Sequence, residues 1–388
     1  MALSLFGARR EPAGERKSSA VGAMTAIHGV GRPAWTPRDP VSMTRVGYSG
    51  NVVGFRCVRM IAEAAAAIPL KLVEGGETLA EHPLLRLLAQ PNPGHDGMAL
   101  LETVFGQLQL AGNAYLEAAT GVDGAPAELH ALRPDRMRVI PGPDGWPEAY
   151  EYRVGARAHR FEMNCDAPPV LHLKAFHPLD DHYGMSPLEA AAAPIDVHNA
   201  ATRWTKALLD NAARPSGAVV YSGVDGNGRL SDEQYRRVIE ELEANHQGAA
   251  NAGRPLLLEG GLDWKPMGYS PADMDFLQTK NAAARDIALA FGVPPMLLGL
   301  PGDNTYANYQ EANRAFYRHT VFPLARRVSA ALSNWLGGRW GGAVRIEPDL
   351  DRTAALAPER DAQWRRIASA SFLDDDEKRT LLGLPPRR

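Results

Sequence analysis

The sequence predicts an α+β fold, because segments with helical periodicity surround a central region in which short apolar runs alternate with turn residues. Apolar side chains recur every three or four residues in the segments expected to be helical, which are 51–68, 98–110, 187–213, 271–293 and 305–336. Short runs between 113 and 176 have the pattern of strands, and a smaller insert at 214–270 carries both patterns. Helices and strands are therefore expected in separate regions, as in the α+β class.

The composition describes a globular chain without an excess of positive charge. It has 388 residues, 45% of them hydrophobic, and a formal net charge of −3 from 42 basic and 45 acidic residues. A chain of this length can bury at least one substantial core and form two or three structural units. Repressors and histone-like proteins bind DNA phosphates through an excess of basic residues, so these classes of protein are disfavoured.

Neither the cysteines nor the hydropathy indicates an extracellular or membrane protein. Cys57 and Cys165 lie far apart without CxxC spacing, which argues against a disulfide framework and a zinc site. The first apolar run is too short for a signal peptide, and no stretch reaches the ~18 to 20 apolar residues of a membrane span. We expect a soluble protein of a reducing compartment. Residues 1–45 are rich in Gly, Pro, Ser and Arg without periodicity, and are predicted to be a flexible arm.

The first half of the chain is predicted to contain two helices and a β-rich region. The first helix covers 51–68 and is ended by Pro69, after which 69–74 has a strand pattern. The second helix, 98–110, changes into a strand at Gly112. Further strands are expected between turn sequences, at 127–133, 136–141, 148–154 and 169–176.

The helix that follows the β-rich region has a strong start signal. Ser186 can cap it, Pro187 suits its first position, and Glu189 completes a capping box. Pro194 lies inside this helix and is expected to kink or offset it.

The insert and the helix after it repeat this pattern. The insert is expected to hold strands at 217–222 and 255–261, and a helix opened by Ser231. Ser270 is predicted to cap the next helix, with Pro271 at its first position.

The last part of the chain is predicted to be mainly helical. Helix 271–293 ends at a Gly-x-Pro-Pro sequence, and a long helix then runs from about 305 to 336, with a kink at Pro323. A strand at 343–348 and a helical tail complete the chain.

A loop between the last two long helices is the sharpest functional signal. Its tip consists of Gly302, Asp303, Asn304, Thr305 and Tyr306. From the residues alone it is either a connection that avoids strain or a contact point. A tip with one acidic residue and a few hydroxyl and amide groups can touch a polyanion without gripping it.

Basic residues lie on the two helices that flank the insert. They are Arg203, Lys206, Arg214, Lys280 and Arg285. Such residues either form an ordinary solvated face or make weak contacts with nucleic-acid phosphate, which would be salt-dependent and indifferent to sequence.

The stretch most typical of an enzyme is a cluster of imidazoles and carboxylates. It contains His172, His177, Asp180, Asp181 and His182, which are donors that can hold zinc or iron. No HxxxH or HxH pair puts two imidazoles on one face, so a loop with a strand histidine is the simpler interpretation. Without GxSxG, Walker A or GxGxxG sequences, no apparatus for acyl or phosphoryl transfer is visible. We predict a protein that is not an enzyme and has no cofactor or metal.

Several stretches, taken in order, resemble the portal protein family of tailed bacteriophages in its shorter siphophage-type form. They are AQPNPG at 89–94, AGNAYLEAA at 111–119, LRPDRMRV at 132–139, HYGMSPLEAA at 182–191, DNAARPSGAVV at 210–220, LLLEGGLDWKPM at 256–267, RDIALAFGVPPMLLG at 285–299, YANYQEANRAFYRHTVFPL at 306–324 and EKRTLLGLPP at 377–386. Their shared order makes the resemblance specific.

The resemblance implies a portal-type fold in which each region has a place. Its regions would be a β-rich wing at 46–186 and 309–350, stem helices at 187–213 and 271–293, a small α/β clip at 214–270, a tunnel-loop region at 294–308 and a short crown at 351–388. The long kinked helix would belong to the wing.

The resemblance also implies function, partners and site residues. Portal proteins form a ring, typically of twelve subunits, at one vertex of the head, and double-stranded DNA passes through it during packaging and ejection. The tip residues would then face DNA, and the channel would be lined by the stem residues Arg203, Lys206, Lys280 and Arg285. The clip would bind terminase and a head-tail adaptor through Asp232, Glu233, Arg236, Asn245, His246 and Gln247. The wing would meet the major capsid protein, in a virion or phage-like particle assembled in the bacterial cytoplasm.

Two alternatives from other classes remain at this point. One is a metal-dependent enzyme that uses the cluster from His172 to His182. The other is an interaction scaffold without a pore.

Overall fold

The computed structural model describes residues 35–121, 124–210, 217–221, 230–246, 258, 261–266, 275–302, 305–340, 343–353 and 357–384. Residues 36–388 form one compact unit, to which the description below refers. The predicted arm lies outside the described residues up to residue 34. The last part of the predicted arm is described, and there Asp39 caps a short helix in which Met43 is buried. The compact unit therefore begins inside the predicted arm.

Twelve helices are described. They are α1 (Pro40–Met43), α2 (Val52–Ala66), α3 (Pro83–Ala89), α4 (Gly97–Ala111), α5 (Pro187–Ala190), α6 (Ala192–Asp210), α7 (Asp232–His246), α8 (Phe276–Ala290), α9 (Tyr306–Phe316), α10 (Phe322–Leu336), α11 (Ala357–Ser369) and α12 (Asp375–Leu381). Two π-helical segments, Thr44–Ser49 and Tyr317–Val321, extend α1 and join α9 to α10.

The described strands form antiparallel sheets. They are β1 (Leu70–Glu74), β2 (Glu77–Leu79), β3 (Asn113–Thr120), β4 (Pro126–Leu132), β5 (Met137–Pro141), β6 (Pro147–Val154), β7 (Arg157–Glu162), β8 (Val170–Lys174), β9 (Gly217–Tyr221), β10 (Leu262–Pro266) and β11 (Arg345–Pro348). Their orders are β11-β1-β2, β4-β3-β8, β5-β6-β7 and β10-β9. The predicted α+β class is confirmed.

The helices and sheets enclose two clusters of buried side chains. The larger one joins α2, α4, α8 and α10 to the sheets through residues such as Ile61, Leu116, Ile287 and Leu332. The smaller one lies between the sheets of β3 and β6, around Tyr115 and the residues Leu132, Met137, Val139, Tyr150, Phe161 and Val170. The β-rich region thus has its own core beside the helical one.

Both predicted kinks are present, but the helix breaks before each proline. The chain is interrupted at Ala191 between α5 and α6, ahead of Pro194. The π-helical segment 317–321 precedes Pro323, which lies in the first turn of α10. Proline has no N–H to donate, so a new helical start places it where no hydrogen bond is lost.

One predicted helix start is wrong. Helix α8 begins at Phe276, later than the predicted 271, because Asp275 has a left-handed backbone (φ 46°); Ser270 and Pro271 lie outside the described residues. The strand that pairs with β9 is 262–266, and the predicted strand 255–261 lies almost wholly outside the described residues.

A buried polar cluster joins the start of α2 to α6. Asn51 is 3% exposed, and its Oδ1 accepts hydrogen bonds from the N–H groups of Val53 and Gly54, both at 3.0 Å. Its Nδ2 donates to Asn199 Oδ1 (2.9 Å) and lies 3.2 Å from His198 Nδ1. One side chain therefore caps α2 and ties it to α6.

Replacing Asn51 with alanine is expected to lower the free energy of unfolding by about 2 to 3 kcal/mol, because the cap is lost and buried partners are left unsatisfied. Asp96 caps α4 at an exposed position, through Ala99 N–H. Asp96→Ala is the matched control and should cost only about 1 kcal/mol. Urea unfolding of both variants checks the difference, and equal losses would contradict it.

Candidate functional site

Two helices, α6 and α8, pack side by side and lead to and from the insert. The indole of Trp204 stacks on the ring of Phe276, with centroids 3.8 Å apart and planes 18° from parallel. Further along α8, Ile287 and Ala288 are fully buried against the main core. This helix pair is therefore anchored to the core at one end and joined by aromatic stacking nearer the insert.

The predicted basic residues of the helix pair differ in their surroundings. Lys206 forms an ion pair with Asp210 (2.6 Å), and an Nη2 of Arg285 donates to the carbonyl of Pro301. Lys280 is half-buried. The pKa of His198 is lowered mainly by burial of its own ring and, to a smaller extent, by the positive charge of Lys280. Arg203 is exposed. Arg214 lies outside the described residues. The pair therefore does not present a uniform row of unengaged cations.

The loop after α8 is built from residues that stop a helix and turn the chain. Gly292 takes a left-handed conformation (φ +65°), and Pro295–Leu298 form a short 3₁₀ helix that Gly299 (φ +70°) ends. Thr305 then caps α9, its Oγ1 accepting from Asn308 N–H at 3.3 Å. The predicted loop between two helices is confirmed as a local structure.

The structure describes three of the five predicted tip residues. Gly302 lies beside the guanidinium of Arg285, and Tyr306 is 79% exposed at the start of α9. Asp303 and Asn304 lie outside the described residues. The described residues of the tip are therefore all exposed, and Tyr306 presents a large aromatic side chain there.

Two contacts that hold the loop were not predicted. Thr320, in the π-helical segment, donates from Oγ1 to the carbonyl of Gly292 at 2.6 Å. Arg285 bonds the carbonyl of Pro301 at the other end, as described above. The loop is therefore tied to α8 and to the joint between α9 and α10. No sequence pattern signals either contact, because each joins residues at least 16 positions apart.

The insert presents a charged helix. Ser231 caps α7 through a hydrogen bond from Gln234 N–H, as predicted. Asp232, Glu233 and Arg236 are exposed on its first turns. Asn245 and His246 belong to α7, but their side chains are not described, and Gln247 lies outside the described residues.

In the histidine cluster, His172 uses both of its ring nitrogens within the protein, whereas Nδ1 of His182 is buried without a hydrogen-bond partner among the described residues. His172 Nε2 lies 2.9 Å from Asn113 Oδ1, and its Nδ1 lies 3.2 Å from the hydroxyl of Tyr150. Since the amide oxygen can only accept, Nε2 carries the proton and Nδ1 accepts from the phenol. Both ring nitrogens are occupied, and burial, with smaller contributions from Lys174 and His182, lowers the pKa of His172 to about 3.

The other members of the cluster shape turns. His177 Nδ1 accepts from Leu179 N–H at 3.0 Å, and Asp180 Oδ1 accepts from the N–H groups of His182 and Tyr183 at 2.7 and 2.9 Å. Among the described residues, no group of three or more His, Cys, Asp or Glu is arranged to hold a metal ion. The cluster is therefore explained as a buried neutral histidine followed by a turn.

The buried neutral imidazole predicts a pH dependence of stability. The unfolded chain takes up a proton near pH 6.5, whereas folded His172 does so only near pH 3, so stability falls as the pH drops through this window. The slope from this one group is at most about 1.4 kcal/mol per pH unit. Urea unfolding from pH 7 to 4 should be less pH-dependent in His172→Gln. His130→Gln, which changes a partly exposed histidine beside Glu128, is the control; equal slopes in the wild type and His172→Gln would contradict the assignment.

In the described part of the chain, no helix combines the length and the apolar character needed to cross a membrane.

A family model described as "Phage portal protein" matches residues 53–383. Among curated proteins, the probable portal protein of Streptomyces phage phiC31 is 29% identical over 398 aligned positions, covering 94% of this chain and 84% of that protein. A protein of Rickettsia bellii is 42% identical, covering 88% and 89% of the two chains.

Solved structures of gene transfer agent necks and of a phage portal protein also match this chain. A chain from the neck of an empty gene transfer agent (GTA) particle, computed with C6 symmetry, is 61% identical with a TM-score of 0.75, covering 92% of this chain and 96% of that one. A chain from the neck of the native particle, computed with C12 symmetry, is 61% identical with a TM-score of 0.72 and coverage of 92% and 97%. An HK97 family phage portal protein from Corynebacterium diphtheriae shares the fold at 16% identity, with a TM-score of 0.59 and coverage of 82% and 96%.

Proposed function

The chain belongs to the phage portal protein family, and on that premise we propose that twelve copies form a ring at one vertex of a virion or gene-transfer-agent head. The ring encloses the channel through which double-stranded DNA enters during packaging and leaves during ejection. The observation that carries the proposal is the 61% identity, over 92% of this chain, to a chain in a neck computed with C12 symmetry.

We assign the regions of the chain to parts of this ring. Helices α6 and α8 form the stem (187–213 and 271–293), and residues 214–270 form the clip. Residues 46–186 and 309–350 form the wing, and 351–388 a short crown. The loop 300–308 faces the bore; its position between α8 and α9 and the bond from Arg285 to the carbonyl of Pro301 support this assignment.

The charges of the stem and loop suit a conduit rather than a clamp. Each phosphate contact made by a lysine or arginine releases counterions, so a ring lined with unengaged cations would bind DNA strongly. In this chain Lys206 is paired with Asp210, Arg285 is bonded to a carbonyl, and the loop contains Asp303. Copies around an axis would therefore let a polyanion slide.

We assign the partners by position. The exposed charged face of α7, with Asp232, Glu233 and Arg236, is the clip surface that meets terminase during packaging and a head-tail adaptor afterwards. The wing meets the major capsid protein. The role is structural and not enzymatic, and no cofactor takes part; the terminase ATPase supplies the energy of packaging.

Native mass spectrometry tests the proposal. The purified chain should give a species of twelve times the subunit mass, and negative-stain images should show closed rings with an axial hole. A scaffold without a pore would give monomers or open oligomers, and that result would overturn the proposal.

A further inference from the structure

An exposed tryptophan stands at the tip of the hairpin between β5 and β6. Trp146 is 75% exposed, yet its backbone is well fixed. Its carbonyl accepts from Gly142 N–H at 2.7 Å, and its N–H donates to Asp144 Oδ1 at 3.1 Å. Gly145, with φ +84°, closes the turn. A large aromatic side chain on a fixed backbone is a typical anchor of protein interfaces, because little entropy is lost when it docks.

A cavity of about 390 Å³ lies at the other end of β5. Its apolar walls are Val41, Leu110, Ala111 and Pro134, which come from α1, the end of α4 and the turn before β5. This space is ample for an indole ring. The cavity therefore offers apolar contact of the kind that Trp146 lacks in its own subunit.

Polar groups of the cavity match the hairpin tip as well. Gln107 lines the cavity, and its Oε1 is buried without a hydrogen-bond partner among the described residues. This oxygen is closed to solvent, so the indole N–H of Trp146 reaches it when the Gln107 side chain turns toward the cavity. At the rim, exposed Arg45 has no ion pair within the described ranges and is complementary in charge to Asp144 beside the tryptophan.

The positions of tip and cavity fit a head-to-tail contact. The rest of the turn that begins at Pro134 and the five residues of β5 separate the cavity from the tip, and β5 alone is roughly 15 Å of extended chain. A subunit cannot fill its own cavity with this tip, since Trp146 is exposed. Rings of more than two copies need two different patches that meet between neighbours.

We propose that Trp146 of one subunit inserts into the cavity lined by Val41 and Gln107 of the next subunit, with Asp144 near Arg45 of that neighbour. This inference rests on the proposed ring. It assigns a wing-to-wing contact between copies, with the indole as anchor, Gln107 Oε1 as hydrogen-bond acceptor and the charge pair at the rim.

Disulfide trapping tests the contact in the full-length protein. In a Cys165→Ser background, which removes the exposed native thiol, Trp146→Cys and Val41→Cys are made as separate variants. Oxidation of rings assembled from both single variants should give covalent dimers. A variant that carries both cysteines in one chain should give a ladder of higher oligomers. In the control, Trp364→Cys, at another exposed tryptophan, is combined with Val41→Cys in place of Trp146→Cys. Oxidation of the control should give no covalent dimers.

A second measurement follows ring stability. Trp146→Ala should raise the subunit concentration at which half the rings dissociate by about tenfold, whereas Trp364→Ala should not change it. Thermal unfolding of the Trp146→Ala monomer should match the wild type, because the side chain is exposed. Intact rings that neither cross-link nor weaken would overturn this inference and leave the ring standing. A wild-type chain that forms no rings would overturn both.

Discussion

Replacing Gly112 with alanine is expected to abolish the folded state or to lower the free energy of unfolding by more than about 4 kcal/mol. Gly112 ends α4 with φ +67°, and a Cβ there would lie 2.4 Å from the carbonyl oxygen of Gly184 and 2.6 Å from backbone carbons of Gly184 and Met185. The neighbours are backbone atoms, which cannot rotate away. Asn113, the next residue, accepts from Gly184 N–H at 2.8 Å and donates to the Gly184 carbonyl at 3.2 Å, so the two segments cannot separate without losing these hydrogen bonds.

Gly155→Ala is the matched control for Gly112→Ala. Gly155 also has a positive φ, +59°, but a Cβ added there would meet no atom within 4 Å. This variant isolates the cost of the left-handed backbone, about 1 to 2 kcal/mol. Urea unfolding followed by circular dichroism measures both. A Gly112→Ala protein as stable as Gly155→Ala would show that the approach of α4 to residues 184–185 is not required.

Reversing the charge of the loop is expected to stall DNA without preventing assembly. In the combined Asp303→Lys and Asn304→Lys variant, lysines repeated around the ring would make many phosphate contacts at once, and the packaging rate should fall at least about tenfold at low salt. Raised salt should restore much of the rate, since each contact is salt-dependent. Packaging assays across a salt series, with ring formation checked by native mass spectrometry, measure both effects.

The control for the loop variant carries the same charge change elsewhere. Asp361→Lys combined with Gln363→Lys alters two exposed positions of α11. This protein should package DNA at the wild-type rate. If the loop variant also packaged normally at low salt, the loop would not contact DNA.

Helix termini were largely predictable from the sequence because the signals are local. Ser186, Ser231 and Thr305 each cap the helix expected from the residues that follow, and Gly292 ends α8. Strand β7 was missed because only Phe161 among its side chains is buried, so no alternation marks it. The start of α8 was misplaced because a Ser-Pro pair resembles a cap, whereas the helix follows the left-handed Asp275.

The candidate site was predictable only in part. The loop could be found because it lies between two periodic helices, and the Lys206–Asp210 pair follows from helical spacing. The bonds from Thr320 and Arg285 to loop carbonyls depend on tertiary packing, and nothing in the local sequence announces them. The histidine cluster drew attention as a metal site because composition does not reveal that His172 is buried between Asn113 and Tyr150.

Electron cryomicroscopy of the assembled protein with double-stranded DNA tests the central claim most directly. We expect a closed ring of twelve copies with DNA density on the axis and residues 300–308 of every copy pointing into the bore. Single compact chains, or a ring in which residues 300–308 point away from the DNA, would contradict the account.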